Sequence, residues 1–458
     1  MRVMERTIAA IITGPCTGAV GVIRLSGEDA FDIADRVFSG SCGPLAKQKS
    51  HTVHYGVIRD KDGQRIDDCL ATVFVAPRSY TGENVVELAC HGGRYLLQTI
   101  LSLVIAAGAR EAQPGEFTKR AFLNGRMDLS QAEAVADIVA AQGILEARNA
   151  AAHMEGALGQ RIAELIDALL TENAAILAYV DYPDEDIDEP DLKAICGALE
   201  RVRAECAALL ATCERGRVLK EGVRCALAGK PNTGKSSLMN RLAGEERSIV
   251  TDEAGTTRDV VEEVLVLGDV KLRLMDTAGI RQAFSQAERI GVERARRAAE
   301  KAELLLCVFD GSSPADDSDR LIMELAEKKT AIAVINKSDL PQRFCEDGIK
   351  GCFAQTVRVS ALIGEGMENL CESIRRALFS DAPATDGETL VTSARQRDAL
   401  QKAADALSRA MVSARSGLSL DVLSFDIAEA VGALGLMTGR TVSEETVNKI
   451  FSRFCVGK

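Results

Sequence analysis

The stretch Gly229–Ser237, GKPNTGKSS, follows the apolar run Val223–Ala228, and its reading decides the fold of the middle of the chain. It has the form G-x-x-x-x-G-K-S, a strand feeding a glycine-rich loop that opens a helix over Ser236–Ala243. Gly229 and Gly234 let the backbone curl so that its N–H groups converge on phosphate oxygens, and the helix N-terminus adds partial positive charge. Asn232, Thr233, Gly234, Lys235, Ser236 and Ser237 are the candidate contacts. Lys235 has the reach for β- and γ-phosphates, and the Ser236 hydroxyl suits a magnesium ion. Taken alone, the motif also reads as a chance glycine-rich turn.

Further motifs follow in order. Thr257, in GTTRD (Gly255–Asp259), stands where a loop can bring a second magnesium ligand. Asp276, Thr277, Ala278 and Gly279 form DTAG at the end of a strand; Asp276 suits magnesium held through water, and the Gly279 N–H suits the γ-phosphate. Asn336, Lys337 and Asp339 lie in NKSD after the apolar run Ala331–Ile335, and Ser360, Ala361 and Leu362 follow Thr356–Val359. The Asp339 carboxylate can accept from the ring N–H and exocyclic amine of guanine, a donor pair that adenine lacks. A site built on such polar groups rejects the base that leaves them unpaired. Five elements in this order imply a GTPase domain. Val260–Leu267 and Val270–Met275 flank Gly268-Asp269 as a hairpin, and strand–helix alternation continues to Phe379. The pattern predicts a doubly wound α/β sheet with ligand loops at the strand C-termini.

A chain of 458 residues has room for about three domains. With 47% hydrophobic and 27% charged residues it reads as soluble and globular, and no apolar stretch is long enough to span a membrane. The start, MRVMERTIAA, carries no export signal. None of the 13 cysteines is spaced C-x-x-C or paired with histidine at zinc-finger spacing. Most read as small buried hydrophobes in a reducing cytoplasm, and His51 and His54 as strand-face residues. A net charge of −12 argues against a broad phosphate-binding surface, so any RNA contact is local or shared with a partner protein.

Before the GTPase motifs, Thr7–Ile12, Val20–Leu25, Val53–Arg59, Leu70–Val75 and Val85–Ala89 read as strands. Asp29–Val37, capped by its acid, and Gly93–Ala107 read as helices, giving an α+β domain. Its loops carry Arg24 in RLSG, Tyr80-Thr81-Gly82-Glu83, Glu87 and Cys90-His91-Gly92-Gly93, which read blandly as turn glycines and strand-edge charges. In PGEFTKRAFLNGRMDLSQAEA, Ser130 with Glu133 fits a capping box, with Asp128 as a second cap. Leu129, Ala132, Ala136 and Val139 then form one helical stripe. Helical pattern persists to Val180, stops at the acidic connection Asp181–Asp191, and resumes over Leu192–Arg215. Asp381–Glu388 reads as a linker, with further helices at Ser393–Arg415 and Leu420–Leu434.

With PGEFTKRAFLNGRMDLSQAEA, the embedded GTPase motifs and the closing FCVGK (Phe454–Lys458) in view, the chain resembles the MnmE (TrmE) family of tRNA modification GTPases over essentially its whole length. The resemblance implies an N-terminal folate-binding and dimerisation domain (1–118), a helical domain in two parts (119–215 and 381–458), and a Ras-like GTPase domain (216–380) inserted between them. It implies a homodimer that joins an FAD-dependent partner of the MnmG (GidA) type in a heterotetramer and modifies carbon 5 of the tRNA wobble uridine to aminomethyl or carboxymethylaminomethyl forms. The one-carbon carrier is 5-formyltetrahydrofolate or 5,10-methylenetetrahydrofolate, and its family contacts fall on Arg24, Glu87, Arg126 and Lys458, with arginine standing at 126 where lysine is common. Cys455 presents a thiol near that carrier. The loop Gly14-Pro15-Cys16-Thr17-Gly18-Ala19 departs from a more Gly/Pro-rich family version. Ile280 follows DTAG and cannot orient water, so the resemblance gives that work to Glu288 in E-R-I-G. It also implies a potassium ion beside the phosphates, held by Asn232, Thr251, Glu253 and Thr256. Without the resemblance, Glu288 is a surface helix residue and Asn232 a residue stabilising the loop.

Two rival readings belong to other classes. An RNA-binding assembly factor would carry an appended basic module, and the C-terminal helices are not conspicuously basic. Alternatively the N-terminal domain serves dimerisation alone, which folate binding would separate. A prenylation motif at Cys455 is rejected because Gly457 and Lys458 fit it poorly.

Overall fold

The computed structural model describes residues 6–14, 17–182, 184, 187–245, 263–267, 270–275, 300–327, 329–349, 351–378 and 389–458. Contacts divide the chain into two compact units, Met1–Val139 with Ala151–Arg203 and Lys402–Lys458, and Ala140–Ala150 with Ala204–Gln401.

The first unit is built on one sheet of β1 (Ile8–Ile11), β2 (Val20–Ser26), β3 (Phe38–Gly40), β4 (Thr52–Arg59), β5 (Arg65–Phe74), β6 (Val85–His91) and β7 (Arg110–Glu111). Their spatial order is β3-β4-β5-β6-β2-β1-β7, antiparallel except for the β1–β7 pair. Alternation along each strand assigns its faces. Ile23, Leu25, Val86, Leu88 and Cys90 enter the core formed with helices Ala30–Val37 and Arg94–Ala106. Arg24 and Glu87 stand opposite each other in register on the other face. The expected strand Leu70–Val75 starts at Arg65 instead, because cross-strand bonds hold its polar beginning. His91 N–H and ring bind Asp67, and the Tyr55 hydroxyl donates to Asp68 at 2.6 Å. Asp29 does occupy the N-cap of its helix, but its carboxylate makes no capping bond; its N–H donates to Thr7 Oγ1.

The helix Leu129–Ala140 corrects two expectations. Its cap is Asp128, whose Oδ1 accepts from the Gln131 N–H (2.9 Å), while Gln131 Oε1 accepts from the Asp128 N–H (2.9 Å). The reciprocal box is therefore Asp128 with Gln131, and Ser130, two residues too late, donates to Asp128. The buried stripe runs through Leu129, Ala132 and Val135 against Val447, Phe451 and Phe454, while Val139 is exposed. Helical structure breaks around Gln142 before Ile144–Met154 and Ala157–Asp181, and the latter packs on Leu420–Thr438. A short helix, Glu444–Phe451, brings the final residues back to the sheet. There the Gly115 N–H donates to the Cys455 carbonyl (3.3 Å) and the Phe117 N–H to the Lys458 carbonyl (3.2 Å). At Gly457, with φ +98°, a Cβ would lie 2.7 Å from the Ile11 carbonyl oxygen. Glycine alone admits that approach.

The second unit holds a doubly wound sheet of β8 (Val223–Ala228), β9 (Glu263–Leu267), β10 (Val270–Leu274), β11 (Leu304–Asp310), β12 (Thr330–Asn336) and β13 (Gln355–Arg358). The order is β13-β12-β11-β8-β10-β9, with only β9 antiparallel. Both faces are covered by apolar clusters, one including Leu238, Leu272 and Leu370 and the other Ala226, Phe309 and Ile322, as parallel strands require. The helix expected to stop at Arg215 runs over Leu192–Glu221. Gly216 lies inside it because a Cβ would meet the Val391 carbonyl oxygen at 2.1 Å; close approach, not a helix end, explains the glycine. The Ala140–Ala150 segment adds Glu146, which pairs with Lys271 of β10 at 3.0 Å, both nearly buried. It also adds Asn149, whose amide bonds both backbone groups of Leu390.

Among the described cysteines, Cys69, Cys90, Cys206, Cys213, Cys225 and Cys307 are buried, whereas Cys345 and Cys455 are exposed. No helix among the described residues is long and apolar enough to cross a membrane. Removing the cap bond by Asp128→Ala should destabilise the protein by about 1 kcal/mol. Ser130→Ala, which leaves the Asp128–Gln131 exchange in place, should cost less; urea unfolding followed by circular dichroism measures both.

Candidate functional site

The loop after β8 folds as its glycines dictate. A Cβ at Gly229 would lie 2.6 Å from the Val308 carbonyl oxygen, and Gly234 has φ +90°. Asn232 also adopts positive φ, 65°, which asparagine tolerates better than most residues. Thr233 is fully buried, and its hydroxyl donates to the Lys230 carbonyl (3.0 Å). Lys235 opens the helix Lys235–Glu245, followed by Ser236 and Ser237 in its first turn. Its ammonium donates to the Gly229 and Lys230 carbonyls, each at 2.7 Å. Burial pushes the Lys235 ammonium down to about 8. A phosphate oxygen reaching this group replaces two neutral acceptors with a charged one.

The residues expected to hold the base lie beside it. Asn336 donates from Nδ2 to the Thr233 carbonyl (2.8 Å), and its Oδ1 accepts from the Ala361 N–H (3.0 Å), tying the phosphate loop to the Ser360–Leu362 loop. The Ser360 hydroxyl donates to Asp339 Oδ1 at 2.6 Å and so orients the carboxylate assigned to guanine. Lys337, at φ 66°, pairs with Asp310 at 2.6 Å. Burial pushes the Asp310 carboxyl up, but Lys337 and Ser312 together hold it below the usual carboxylate range. Arg241 donates to the Ala361 and Leu362 carbonyls. Thr251, Glu253, Thr256, Thr257, Asp276, Thr277, Ala278, Gly279, Ile280 and Glu288 lie outside the described residues.

A second constellation lies on the face of the N-terminal sheet opposite its larger core. Arg24 pairs with Glu87 at 2.8 Å, and its guanidinium lies 5.1 Å from the Tyr80 ring centre and 5.5 Å from that of Phe117. Tyr80 bonds Thr118 at 2.8 Å, and burial raises its phenol. The Arg126 stem lies against Gly82, Asn124 donates to the Thr81 carbonyl, and Lys458 is held on Phe117 by its carbonyl. Arg24, Glu87, Arg126 and Lys458 thus attach to one set of elements, with Cys455 exposed nearby in the tail. Beneath them Arg120, 2% exposed, pairs with Glu83 and Glu116, each at 3.1 Å.

A family model described as MnmE helical domain matches residues 129–455, and one described as GTP-binding protein TrmE N-terminus matches residues 7–126. The tRNA modification GTPase MnmE of Symbiobacterium thermophilum is 43% identical over 459 residues, covering 99% of this chain and 100% of that protein. The chain belongs to the MnmE family of tRNA modification GTPases. MnmE of Heliobacterium modesticaldum is 42% identical over 462 residues and that of a Thermoanaerobacter species 40% over 456, each covering 99% of both proteins. As an MnmE-family protein the chain is a GTP-hydrolysing enzyme of tRNA modification.

Sequence reasoning passed over Tyr80 as a ring partner, Phe117, Arg120 and Asp310. For Asp310 a signal existed, an acid closing the otherwise apolar strand LLLCVFD. Phe117 and Arg120 gave none beyond lying in the same segment as Arg126.

Asp339→Asn should lower GTP affinity about a hundredfold or more and favour xanthine nucleotides, because the amide presents a donor where the carboxylate accepts. Competition binding with GTP and XTP reads the exchange. The lowered Lys235 ammonium sets a pH dependence. The neutral amine grows above about pH 8, and only the ammonium favours phosphate. GDP affinity should therefore hold below that pH and fall above it, approaching about tenfold per pH unit, as fluorescence titration with a labelled GDP measures.

Proposed function

We propose that this MnmE-family enzyme is a potassium-stimulated GTP hydrolase that works as a cytoplasmic homodimer with an FAD-dependent partner of the MnmG type. Its cycle drives tetrahydrofolate-dependent aminomethyl or carboxymethylaminomethyl modification at carbon 5 of the tRNA wobble uridine. The observation that carries the folate half is the convergence of Arg24, Glu87, Tyr80, Phe117 and the docked tail on one face of a sheet.

The residues fit a reduced folate. Glu87 offers a carboxylate to the ring N–H and amine of a pterin, with the logic by which Asp339 reads guanine. Arg24, beside the Tyr80 and Phe117 rings, pairs with that carboxylate and holds it in place. Arg126 and Lys458 supply cations for the anionic end of the carrier. Bound tetrahydrofolate supplies the one-carbon unit. Cys455 contributes an exposed thiol from the docked tail.

On the GTP side, Lys235 neutralises β- and γ-phosphate charge, and Ser236 with Thr257 holds Mg2+. Thr256, Asp276, Thr277, Ala278 and Gly279 complete the phosphate side, while Asn336, Lys337, Asp339, Ser360, Ala361 and Leu362 hold the base. Asn232, Thr251, Glu253 and Thr256 hold K+, which adds positive charge beside the phosphates, and Glu288 orients the attacking water. The positive φ of Asn232 fits a side chain turned out of the loop. The domain limits follow the same reading: 1–118 for folate and dimerisation, 119–215 and 381–458 for the helical part, and 216–380 for the GTPase.

Deleting Cys455–Lys458 should leave potassium-stimulated GTP hydrolysis nearly intact while wobble modification is lost, since the expected nucleotide ligands all fall between Gly229 and Leu362. Hydrolysis in potassium against sodium, and mass spectrometry of tRNA nucleosides from a complemented deletion strain, read the two activities. Restoration of the modified nucleoside by the truncated protein would sink the tail's role.

A further inference from the structure

We propose that Lys230 is a positioning residue for nucleotide binding, acting on the phosphate loop from outside it. Its ammonium donates to Asp316 Oδ2 at 2.8 Å and to Asp319 Oδ2 at 2.9 Å. These two carboxylates are the capping box of the helix Asp317–Ala326: Asp316 accepts from the Ser318 and Asp319 N–H groups, and Asp319 accepts from the Asp316 N–H. That helix follows β11, the parallel neighbour of β8. One ammonium thus ties the loop after β8 to the helix start after β11.

The backbone of the same residue faces the other way. Its carbonyl accepts from the Thr233 hydroxyl at 3.0 Å and from the Lys235 ammonium at 2.7 Å. The side chain therefore fixes the peptide on which two nucleotide-contacting residues rest. Burial separates this pair from ordinary surface ion pairs, which contribute little. The Lys230 side chain is 16% exposed and that of Asp319 only 1%. A carboxylate so buried depends on its partner cation, and a loop released from it must be ordered again when nucleotide binds.

The inference deepens the nucleotide-binding reading of the loop and rests on it. In the full-length protein, Lys230→Met should weaken fluorescent GDP and GTP alike by about tenfold, the loss of one charge-assisted anchor. The turnover number should fall less than about threefold, because the tether acts on binding and touches no reacting atom. Lys230→Arg should restore most of the affinity. Since Lys230→Met also strands the buried Asp319 charge, the double variant Lys230→Met/Asp319→Asn is needed. Its melting temperature should return toward that of the parent while affinity stays low. Unchanged affinity in Lys230→Met would overturn the proposal, and so would affinity that recovers together with melting temperature in the double variant. Failure of the parent to bind GDP would instead overturn the nucleotide reading itself.

Discussion

Three loops of the second unit meet at Asn336. Its side-chain amide donates to the Thr233 carbonyl and accepts from the Ala361 N–H, and its own carbonyl accepts from the Gly311 N–H at 2.9 Å. An amide is suited to this because it offers a donor and an acceptor on one rigid plane. The neighbours are correspondingly tight. A Cβ at Gly234 would lie 2.1 Å from Asn336 Nδ2, and one at Gly311 would lie 2.9 Å from the Asn336 carbonyl oxygen. Phosphate loop, base loop and the turn after β11 are thus fixed relative to one another by the side chain and main chain of one buried residue before any ligand contact is counted. Buried polar hubs of this kind are costly when half satisfied and specifying when complete.

The first unit solves a different problem. Its sheet buries one face in the larger apolar core and sets a smaller apolar cluster, Ile8, Ala10, Ala112 and Phe117, on the other, where register alone puts Arg24 opposite Glu87. The Arg120 guanidinium, joining Glu83, Glu116 and the Arg6 carbonyl, secures the helix Glu116–Leu123 under that face. Backbone bonds from Gly115 and Phe117 then hold the final residues in place. The tail is positioned by its main chain, which leaves Cys455 and Val456 exposed.

How much of this was legible in the sequence depended on range. The phosphate loop, NKSD and the Ser360 loop follow from local spacing, because each is a single turn at the end of a predictable strand. The strands and most helices followed from periodicity. Pairs distant in sequence did not: Lys230 with Asp319, Lys337 with Asp310 and Arg120 with Glu83 depend on which strands become neighbours. Capping failed by two residues at Ser130 because Asp128 and Gln131 offer the same box with a stronger acceptor. Val139 lay on the expected stripe, yet it falls near the helix end, beyond the reach of the Phe451–Phe454 cluster.

The pairing of Glu146 with Lys271 bears on how this chain can be dissected. A fragment excised as 216–380 would carry Lys271 on β10 without the carboxylate that faces it, and would also lose the Leu390–Val391 strap held by Asn149 and Thr212. The Lys271 ammonium, 12% exposed in the intact unit, would keep its bond to the Lys220 carbonyl but lose its counter-charge. Retaining Ala140–Ala150 alongside Ala204–Gln401, by circular permutation or by expressing the segment in trans, preserves that seam and with it the strand that leads into DTAG.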